Sequence, residues 1–198
     1  MQHAPAIFER SPRHTWDDFV ALDEDDRREL LDGDLVEVEV PTETHEHIGA
    51  ELIYHLVGWT RSGHAGRVLG SGYKVRISNK RGVMPDVQLY RRNNLPVGQE
   101  QGLTQGRPDL AVEIVSPSSR SIDRVKKLHW YGSIGVPEYW IIDPEARTLE
   151  RLVFDGKHYA IEDSLADDDV FEPSTFEGLR IPLTQLWGPP QAAAEPSR

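Results

Sequence analysis

Two short apolar segments, each interrupted by one acidic residue, constrain this chain more than any other feature. They read MPDVQLY (Met84 to Tyr90) and PDLAVEIVS (Pro108 to Ser116), and their length and apolar content predict buried β-strands. The acids are Asp86 and Glu113. A carboxylate in an apolar strand costs free energy unless a cation, a hydrogen-bonding partner or an exposed strand end compensates it. The first of these alternatives would make a metal site, and the other two are structural.

Composition limits the class of protein. The chain has 198 residues, 38% of them hydrophobic and five of them Trp, which suits one core. We expect a single domain over residues 15–187, between an N-terminal tail (1–14) and a disordered C-terminal tail (188–198). The absence of cysteine excludes disulfides and thiolate zinc sites. No apolar run has membrane-spanning length and the N-terminus lacks a signal-peptide core, so a cytoplasmic protein without a membrane partner is expected.

The charge balance argues against a protein that coats nucleic acid by bulk electrostatics. The chain has 22 basic and 33 acidic residues, for a net charge of −11. A local basic groove is still compatible with this balance, because basic residues flank the two acidic segments. They are Lys74, Arg76, Lys80 and Arg81 before the first, and Arg120, Arg124, Lys126 and Lys127 after the second.

The periodicity of apolar residues predicts the elements that precede the first acidic segment. Residues 15–31 are expected to form one or two short helices, with Thr15 or Asp17 as the N-cap. Residues 33–41 alternate in the manner of a half-buried strand. The best amphipathic helix runs from His45 to about Arg61, and a strand with a bend near Gly70 and Gly72 is expected over residues 67–77.

Further elements follow the first acidic segment. A polar loop (91–107) leads to a strand at 110–115, a helix at about 122–134 and a strand at 138–143. A last hairpin is expected to turn at Asp155-Gly156. This order predicts a mixed α/β unit with a central sheet.

The sequence also resembles a known family. PDLAVEIVSPSS, followed by DRVKKLHWYGSIGVPEYWIIDP, is similar to the signature of the Uma-type restriction endonucleases, a branch of the PD-(D/E)XK nuclease superfamily. The resemblance continues upstream through MPDVQLY and LLDGDLVEVEVPTETHEHI, so it covers residues 15–185. It implies an α/β, restriction-endonuclease-like core: a central mixed β-sheet flanked by helices, with an N-terminal helical and strand extension and a C-terminal hairpin.

The resemblance also implies roles for individual residues. Asp86 falls on the family's Pro-Asp position and Glu113 on the acid of the D/E-x-K strand, while Val115 occupies the place of the usual lysine. The family pattern K-x-x-x-Y on the next helix matches Lys127 and Tyr131. Lys126 is the neighbouring competitor for the lysine role.

The chemistry expected of such a site is phosphodiester hydrolysis with Mg²⁺, or alternatively Mn²⁺. Two strand carboxylates suit a hard cation that keeps several waters, and a nearby ammonium would stabilise developing negative charge. Gln88 should share a strand face with Asp86 and contact a phosphate or a metal-bound water. Glu37 and Glu51 are further candidates, because this superfamily often adds an acid from the helix before the sheet. A third further candidate is His45, near the start of the long helix.

Each candidate also has a structural interpretation. Asp86 could cap a turn, Lys127 alone is typical of a solvated helix surface, and His45 and Glu51 are compatible with a helix cap or a solvated face. We predict a Mg²⁺-dependent endonuclease acting on DNA, working as a homodimer so that two sites cut two strands. The alternatives are a non-catalytic binding or regulatory module with the same fold, and a hydrolase of small phosphorylated molecules.

Overall fold

The computed structural model describes residues 13–23, 25–95, 102–103, 106–116, 119 and 121–188. Its helices are α1 (Trp16–Val20), α2 (Glu43–Trp59), α3 (Leu128–Ser133) and α4 (Leu183–Trp187). Its strands are β1 (Arg28–Leu31), β2 (Asp34–Glu37), β3 (Gly66–Gly70), β4 (Lys74–Ser78), β5 (Arg81–Val83), β6 (Val87–Arg91), β7 (Gly102–Leu103), β8 (Leu110–Ile114), β9 (Glu138–Asp143), β10 (Thr148–Phe154), β11 (Tyr159–Ala166), β12 (Val170–Phe171) and β13 (Ile181–Pro182). Wide π-type helical turns occupy Thr60–His64 and Ile122–Lys127, and a 3-10 turn occupies Arg92–Asn94.

The described strands form two main sheets and a short ribbon. The central sheet has six strands in the order β11-β10-β9-β8-β6-β3. It is mixed, because β8 and β9 pair in parallel whereas the other neighbours pair antiparallel. The second sheet has the order β2-β1-β5-β4-β7, and the ribbon pairs β12 with β13.

Both faces of the central sheet are covered, which explains why its inner strands are apolar on both sides. On one face, Ile48, Leu52 and Leu56 of α2 pack against a cluster that includes Val112 of β8. On the other face, a second cluster joins α3 to alternate strand residues; its members include Ala111, Val115, Trp130, Tyr131 and Tyr139. The predicted fold, a central mixed sheet flanked by helices, is confirmed.

The predicted strand over residues 67–77 is wrong as one element. It is two strands in different sheets, since β3 is an edge of the central sheet and β4 lies in the second sheet. The chain crosses between the sheets at residues 71–73, where Gly72 has φ of +98°. Only glycine adopts that backbone conformation readily, so the glycine that suggested a bend marks a complete change of sheet.

The N-terminal extension also differs from the prediction. Thr15 caps α1 as expected, with its side chain accepting a hydrogen bond from Asp18 N, but the helix ends at Val20 and residues 28–31 form a strand. The strand predicted over residues 33–41 is shorter, Asp34–Glu37, and its one valine, Val36, is 39% exposed. The short β1–β2 hairpin carries these residues at a sheet edge, where alternation alone does not decide which side is buried.

The remaining predicted elements are largely confirmed. The structure contains the long helix, the helix after residue 121, the strand at 138–143 and the hairpin that turns at Asp155-Gly156. The expected loop at 91–107 includes a 3-10 turn and β7, and its residues 96–101 and 104–105 lie outside the described residues. Nearly all of both predicted tails, residues 1–12 and 189–198, also lies outside them. Within the described ranges, no helix combines the length and apolarity needed to cross a membrane.

Candidate active site

Two neighbouring strands bring the predicted acids together. Asp86 directly precedes β6, and Glu113 lies within β8. Val87 pairs with Val112, and continuing this antiparallel register by one residue sets Asp86 opposite Glu113. The Asp86 Oδ2 atom accepts a hydrogen bond from the Ile114 backbone N–H at 2.7 Å. This bond fixes the Asp86 carboxylate beside the strand that carries Glu113.

Glu113 is 3% exposed and both of its carboxylate oxygens have partners. The Lys127 Nζ atom lies 2.9 Å from Oε2, and the Tyr131 hydroxyl donates to Oε1 at 2.6 Å. Lys127 is itself only 5% exposed, whereas Lys126 is exposed to solvent. The structure therefore brings Lys127 and Tyr131, and not Lys126, to the acidic strands.

The helix presents these residues because they recur at a spacing of four. Asp123, Lys127 and Tyr131 lie on successive turns that face the sheet, and all three are buried. The Asp123 Oδ1 atom is 3.3 Å from the Lys127 Nζ atom. The backbone from Ile122 to Lys127 has the wide π-type turn that often marks functional sites.

Glu29 completes the cluster and was not singled out from the sequence. It lies on β1, is 4% exposed, and its Oε1 atom is 3.2 Å from the Lys127 Nζ atom. The same oxygen accepts a hydrogen bond from the Met84 backbone N–H at 2.8 Å. Glu29 therefore links the lysine to the segment that leads into Asp86. Its one sequence signal was an acid in a segment, RELL, that was mistaken for helix.

Burial and uneven charge determine the electrostatics of the cluster. Burial raises the pKa of Glu113 well above its ordinary value; the Lys127 ammonium opposes this rise, and the charges of Asp123 and Asp86 add to it. Burial likewise raises the pKa of Glu29. For Lys127, burial disfavours the charged form, but the surrounding carboxylates outweigh it and raise the pKa well above the usual value. The lysine is therefore an ammonium at neutral pH.

His45 contacts the outer side of the acid pair. Its Nε2 atom lies 3.3 Å from the Asp86 Oδ1 atom, and the ring belongs to the first turn of α2. Burial disfavours the charged ring, but the hydrogen bond and the charge of Asp86 outweigh burial, so the pKa of His45 is raised. His45 therefore partly balances Asp86.

Three other predicted candidates lie elsewhere or have other partners. The Gln88 side chain donates to the Tyr73 backbone oxygen at 2.6 Å and accepts from the Tyr90 hydroxyl at 2.8 Å, so its amide is engaged away from the acids. Glu37 is exposed on β2, opposite Arg28. Glu51 lies on α2 six residues after His45, which turns it about 120° away from His45 around the helix axis.

The donor set suits a hard cation better than zinc. Within the part of the chain that the structure describes, no three His, Asp or Glu side chains are placed to share one metal ion. Mg²⁺ needs only one or two carboxylates, because it keeps several waters. The carboxylates of Glu29, Asp86, Glu113 and Asp123 outnumber the cations Lys127 and His45. Burial raises the pKa of Glu113, the other three carboxylates add to that rise, and a bound cation would oppose it.

Comparisons with known proteins identify the family and the fold. The model of the Uma2 family, described as "Putative restriction endonuclease", matches residues 16–184. The chain belongs to the Uma2 family. A crystal structure from Anabaena variabilis ATCC 29413, described as "a putative nuclease belonging to DUF820", is similar with a TM-score of 0.71 and 18% identity. The similarity covers 87% of this chain and 97% of that chain, and at this identity it shows the shared fold. No curated protein matches the sequence.

Proposed function

We propose that this Uma2 protein is a metal-dependent endonuclease that hydrolyses phosphodiester bonds in DNA. The observation that carries the proposal is the Lys127 ammonium, held 2.9 Å from the buried carboxylate of Glu113, with Asp86 set opposite on the next strand. Hydrolysis of a phosphodiester needs an oriented water, neutralisation of the negative charge on the phosphoryl oxygens and stabilisation of the leaving oxygen. The cluster contains residue types suited to each requirement.

Lys127 would act through its charge. Its pKa is raised, so at neutral pH it donates hydrogen bonds and does not accept a proton. An ammonium in a buried site stabilises negative charge that develops on a phosphoryl oxygen, and it can orient the attacking water. Asp123 and Glu29, both close to Nζ, would keep the ammonium in place.

Asp86 and Glu113 would hold the metal. Mg²⁺, or Mn²⁺ in its place, supplies neutralisation of phosphate charge and lowers the pKa of an attacking water when it is bound. The Ile114 N–H bond to Asp86 leaves the second oxygen of that carboxylate towards His45. The Tyr131 hydroxyl fixes the orientation of Glu113.

DNA is proposed as the substrate because the family carries the description "Putative restriction endonuclease", and restriction endonucleases act on DNA. A titration calorimetry experiment with Mg²⁺ and Mn²⁺, followed by incubation with supercoiled plasmid and with single-stranded DNA, tests the proposal. We expect one divalent ion per chain and conversion of plasmid to nicked or linear forms. Asp86→Asn and Glu113→Gln should lose both the binding and the cleavage. Metal binding unchanged in both variants would rule out this site.

A second candidate function is a non-catalytic module, and one observation favours it. Both oxygens of Glu113 are engaged by Lys127 and Tyr131, so the carboxylate is satisfied without a metal. In that case the chain would bind neither Mg²⁺ nor Mn²⁺ in the millimolar range, and plasmid would stay intact.

A third candidate, a hydrolase of small phosphorylated molecules, suits the net charge of −11. It would cleave a chromogenic phosphodiester but not plasmid.

We also propose that two copies act together, because paired sites cut both strands of a duplex. Sedimentation velocity over a wide concentration range tests this. A dimer with double-strand cleavage is expected, and a monomer that still cuts both strands at once would disprove the pairing.

A further inference from the structure

A group of arginines surrounds a surface depression at the end of β6 away from Asp86. The depression has a volume of about 510 Å³, and its lining includes Arg61, Arg67 and Arg92. A second depression of about 560 Å³ adjoins it, shares Ala65 and Arg92 with it, and adds Arg91. Four arginines thus meet at one edge of a protein whose net charge is −11. We call this surface the arginine edge.

Four different elements of the fold supply these arginines, and Arg91 is the last residue of β6. Arg61 belongs to the wide helical turn after α2, Arg67 to the edge strand β3, and Arg92 to the 3-10 turn after β6. The pairing of Gly66 with Arg91 brings the start of β3 to the end of β6, so Arg67 and Arg92 lie at the same end of the sheet. The convergence is therefore a product of the tertiary fold.

Ion pairing does not explain the group. Over the described ranges, the lining of both depressions contains no Asp or Glu, and Arg61, Arg67 and Arg92 form no ion pair with a described acid. A helix C-terminus favours nearby cations, which accounts for Arg61 after α2. It does not account for Arg67 on a strand or Arg92 in a separate turn. Like charges that converge without ion-pair partners repel one another, and a bound anion would relieve that repulsion.

Arg91 adds a fixed guanidinium beside the depression. Its planar group lies 5.4 Å from the Trp59 ring centre and 4.9 Å from that of Phe176, and it donates to the Thr175 backbone oxygen at 2.7 Å. Stacking and hydrogen bonding hold this side chain in one orientation. The arginine edge therefore combines one held cation with three exposed ones.

We infer that the arginine edge is a phosphate-binding site, distinct from the acidic cluster around Glu113. Guanidinium groups match phosphate oxygens in geometry as well as charge. The phosphate could belong to a nucleic-acid backbone or to a free phosphorylated molecule, and both sources present the same chemistry. The inference goes beyond phosphodiester hydrolysis, because it concerns binding at a place that needs neither the metal nor Lys127.

The position sets the length of duplex that would reach both sites. Asp86 and Arg91 are five residues apart along an extended strand, or about 17 Å at about 3.3 Å per residue. A duplex advances about 3.4 Å per base pair along its axis, so a backbone that extends from one site to the other spans about five base pairs. A 16-base-pair duplex is therefore long enough to cover both sites.

The test measures binding without cleavage. Fluorescence anisotropy with a labelled 16-base-pair duplex, in EDTA, would compare the parent with Arg67→Ala/Arg92→Ala. The matched control is Arg147→Ala/Lys157→Ala, which removes two exposed cations from the hairpin turns next to β10. We expect the first pair to weaken duplex binding about 10-fold at 0.1 M salt and to reduce the slope of log affinity against log salt by about 2. The control pair should change neither quantity appreciably.

A second arm identifies the source of the phosphate. Calorimetry with inorganic phosphate and with adenosine monophosphate asks whether a free phosphate binds in a way that needs Arg67 and Arg92. Binding of the free ligands, with duplex affinity equal in all proteins, would support a small-molecule site. Loss of duplex affinity alone would support a backbone site. Equal behaviour of the parent and the Arg67→Ala/Arg92→Ala variant towards all three ligands would overturn the inference. Cleavage lost in Glu113→Gln, with duplex binding kept, separates this result from the proposed chemistry.

Discussion

The Lys127 Nζ atom lies 2.9 Å from the Glu113 Oε2 atom, although the two residues are 14 positions apart and belong to a helix and a strand. This contact supplies Glu113 with an ammonium that its own strand lacks, since Val115 stands at the usual lysine position of the motif. Val115 itself packs in the apolar cluster with Trp130 and Tyr139. The positive charge and the acid are therefore supplied by different elements.

Removal of that charge gives the first prediction. Lys127→Ala should lower the cleavage rate about 100-fold or more while metal affinity is largely kept, because the lysine stabilises charge and is not a metal ligand. Lys126→Ala is the matched control, since Lys126 is the exposed neighbour on the same helix. Single-turnover cleavage of plasmid, with calorimetry for the metal, measures both quantities. Equal losses in the two variants would indicate backbone binding and not catalysis.

A double variant tests whether the position of the ammonium matters. In Val115→Lys/Lys127→Ala the new lysine starts two residues after Glu113 on the same strand face. Recovery of part of the activity lost in Lys127→Ala is expected, provided that circular dichroism shows a folded protein. A folded double variant with no recovery would show that the helix position is required.

Glu29 gives the second prediction, as a positioning residue that acts through Lys127. Glu29→Gln keeps an oxygen for the Met84 N–H but removes the charge beside Nζ, so kcat should fall about 10-fold with KM and metal affinity unchanged. Glu37→Gln, on the exposed neighbouring strand, is the control and should behave like the parent. If Glu29→Gln instead raised KM alone, or changed only thermal stability, the positioning role would be wrong.

The sequence predicted β6, β8, β9 and the β10–β11 hairpin of the central sheet, because apolar runs and turn dipeptides are local properties, but it merged β3 with β4. It also predicted which lysine faces the acids, since a spacing of four with Tyr131 and Asp123 already defines a helix face. Whether these residues catalyse anything stays a prediction.

Glu29 could not be found in the same way. Its contact with Lys127 crosses 98 residues of chain and depends on how the second sheet packs against the helix. The partners of Gln88 could not be predicted for the same kind of reason, because Tyr73 and Tyr90 reach its amide only through the tertiary fold. The arginine edge, too, depends on the pairing of β3 with β6.

The raised pKa of Glu113 gives the third prediction. An acid with a raised folded pKa binds its proton more tightly in the folded chain than in the unfolded chain, so its contribution to stability rises as pH falls towards about 4.3. Without metal, Glu113→Gln should be at least as stable as the parent at pH 8, because the glutamine resembles the protonated acid. This advantage should shrink as the pH falls to 5.

Urea unfolding in EDTA at several pH values, for the parent and for Glu113→Gln, measures this difference. Addition of Mg²⁺ at pH 8 should reverse the order, since only the parent binds the ion well. If Glu113→Gln were less stable than the parent by several kcal/mol at pH 8 in EDTA, the ion pair with Lys127 would be net stabilising. The excess of negative charge would then not destabilise the fold.

A buried ion pair on the other side of the sheet gives the last prediction. Arg151 of β10 donates to the Glu138 Oε2 atom at 3.0 Å, and both side chains are only 4% exposed. The Trp140 indole N–H, from the same strand, also donates to that oxygen at 3.0 Å, and β9 lies beside the strand that carries Glu113. Arg151→Met would leave the Glu138 charge buried without its partner.

We expect Arg151→Met to lower the free energy of unfolding by about 3–5 kcal/mol, as is usual when one member of a buried pair is removed. Arg147→Met removes an exposed cation, 45% accessible and paired with Asp167 at 3.5 Å, and should cost less than about 1 kcal/mol. Arg151→Met/Glu138→Leu should recover much of the loss, because the penalty comes from the unpaired charge and not from the missing attraction. Urea unfolding of the four proteins measures these differences. If Arg151→Met were no less stable than Arg147→Met, water would have to reach Glu138, and the ion pair would not stabilise the sheet behind the candidate site.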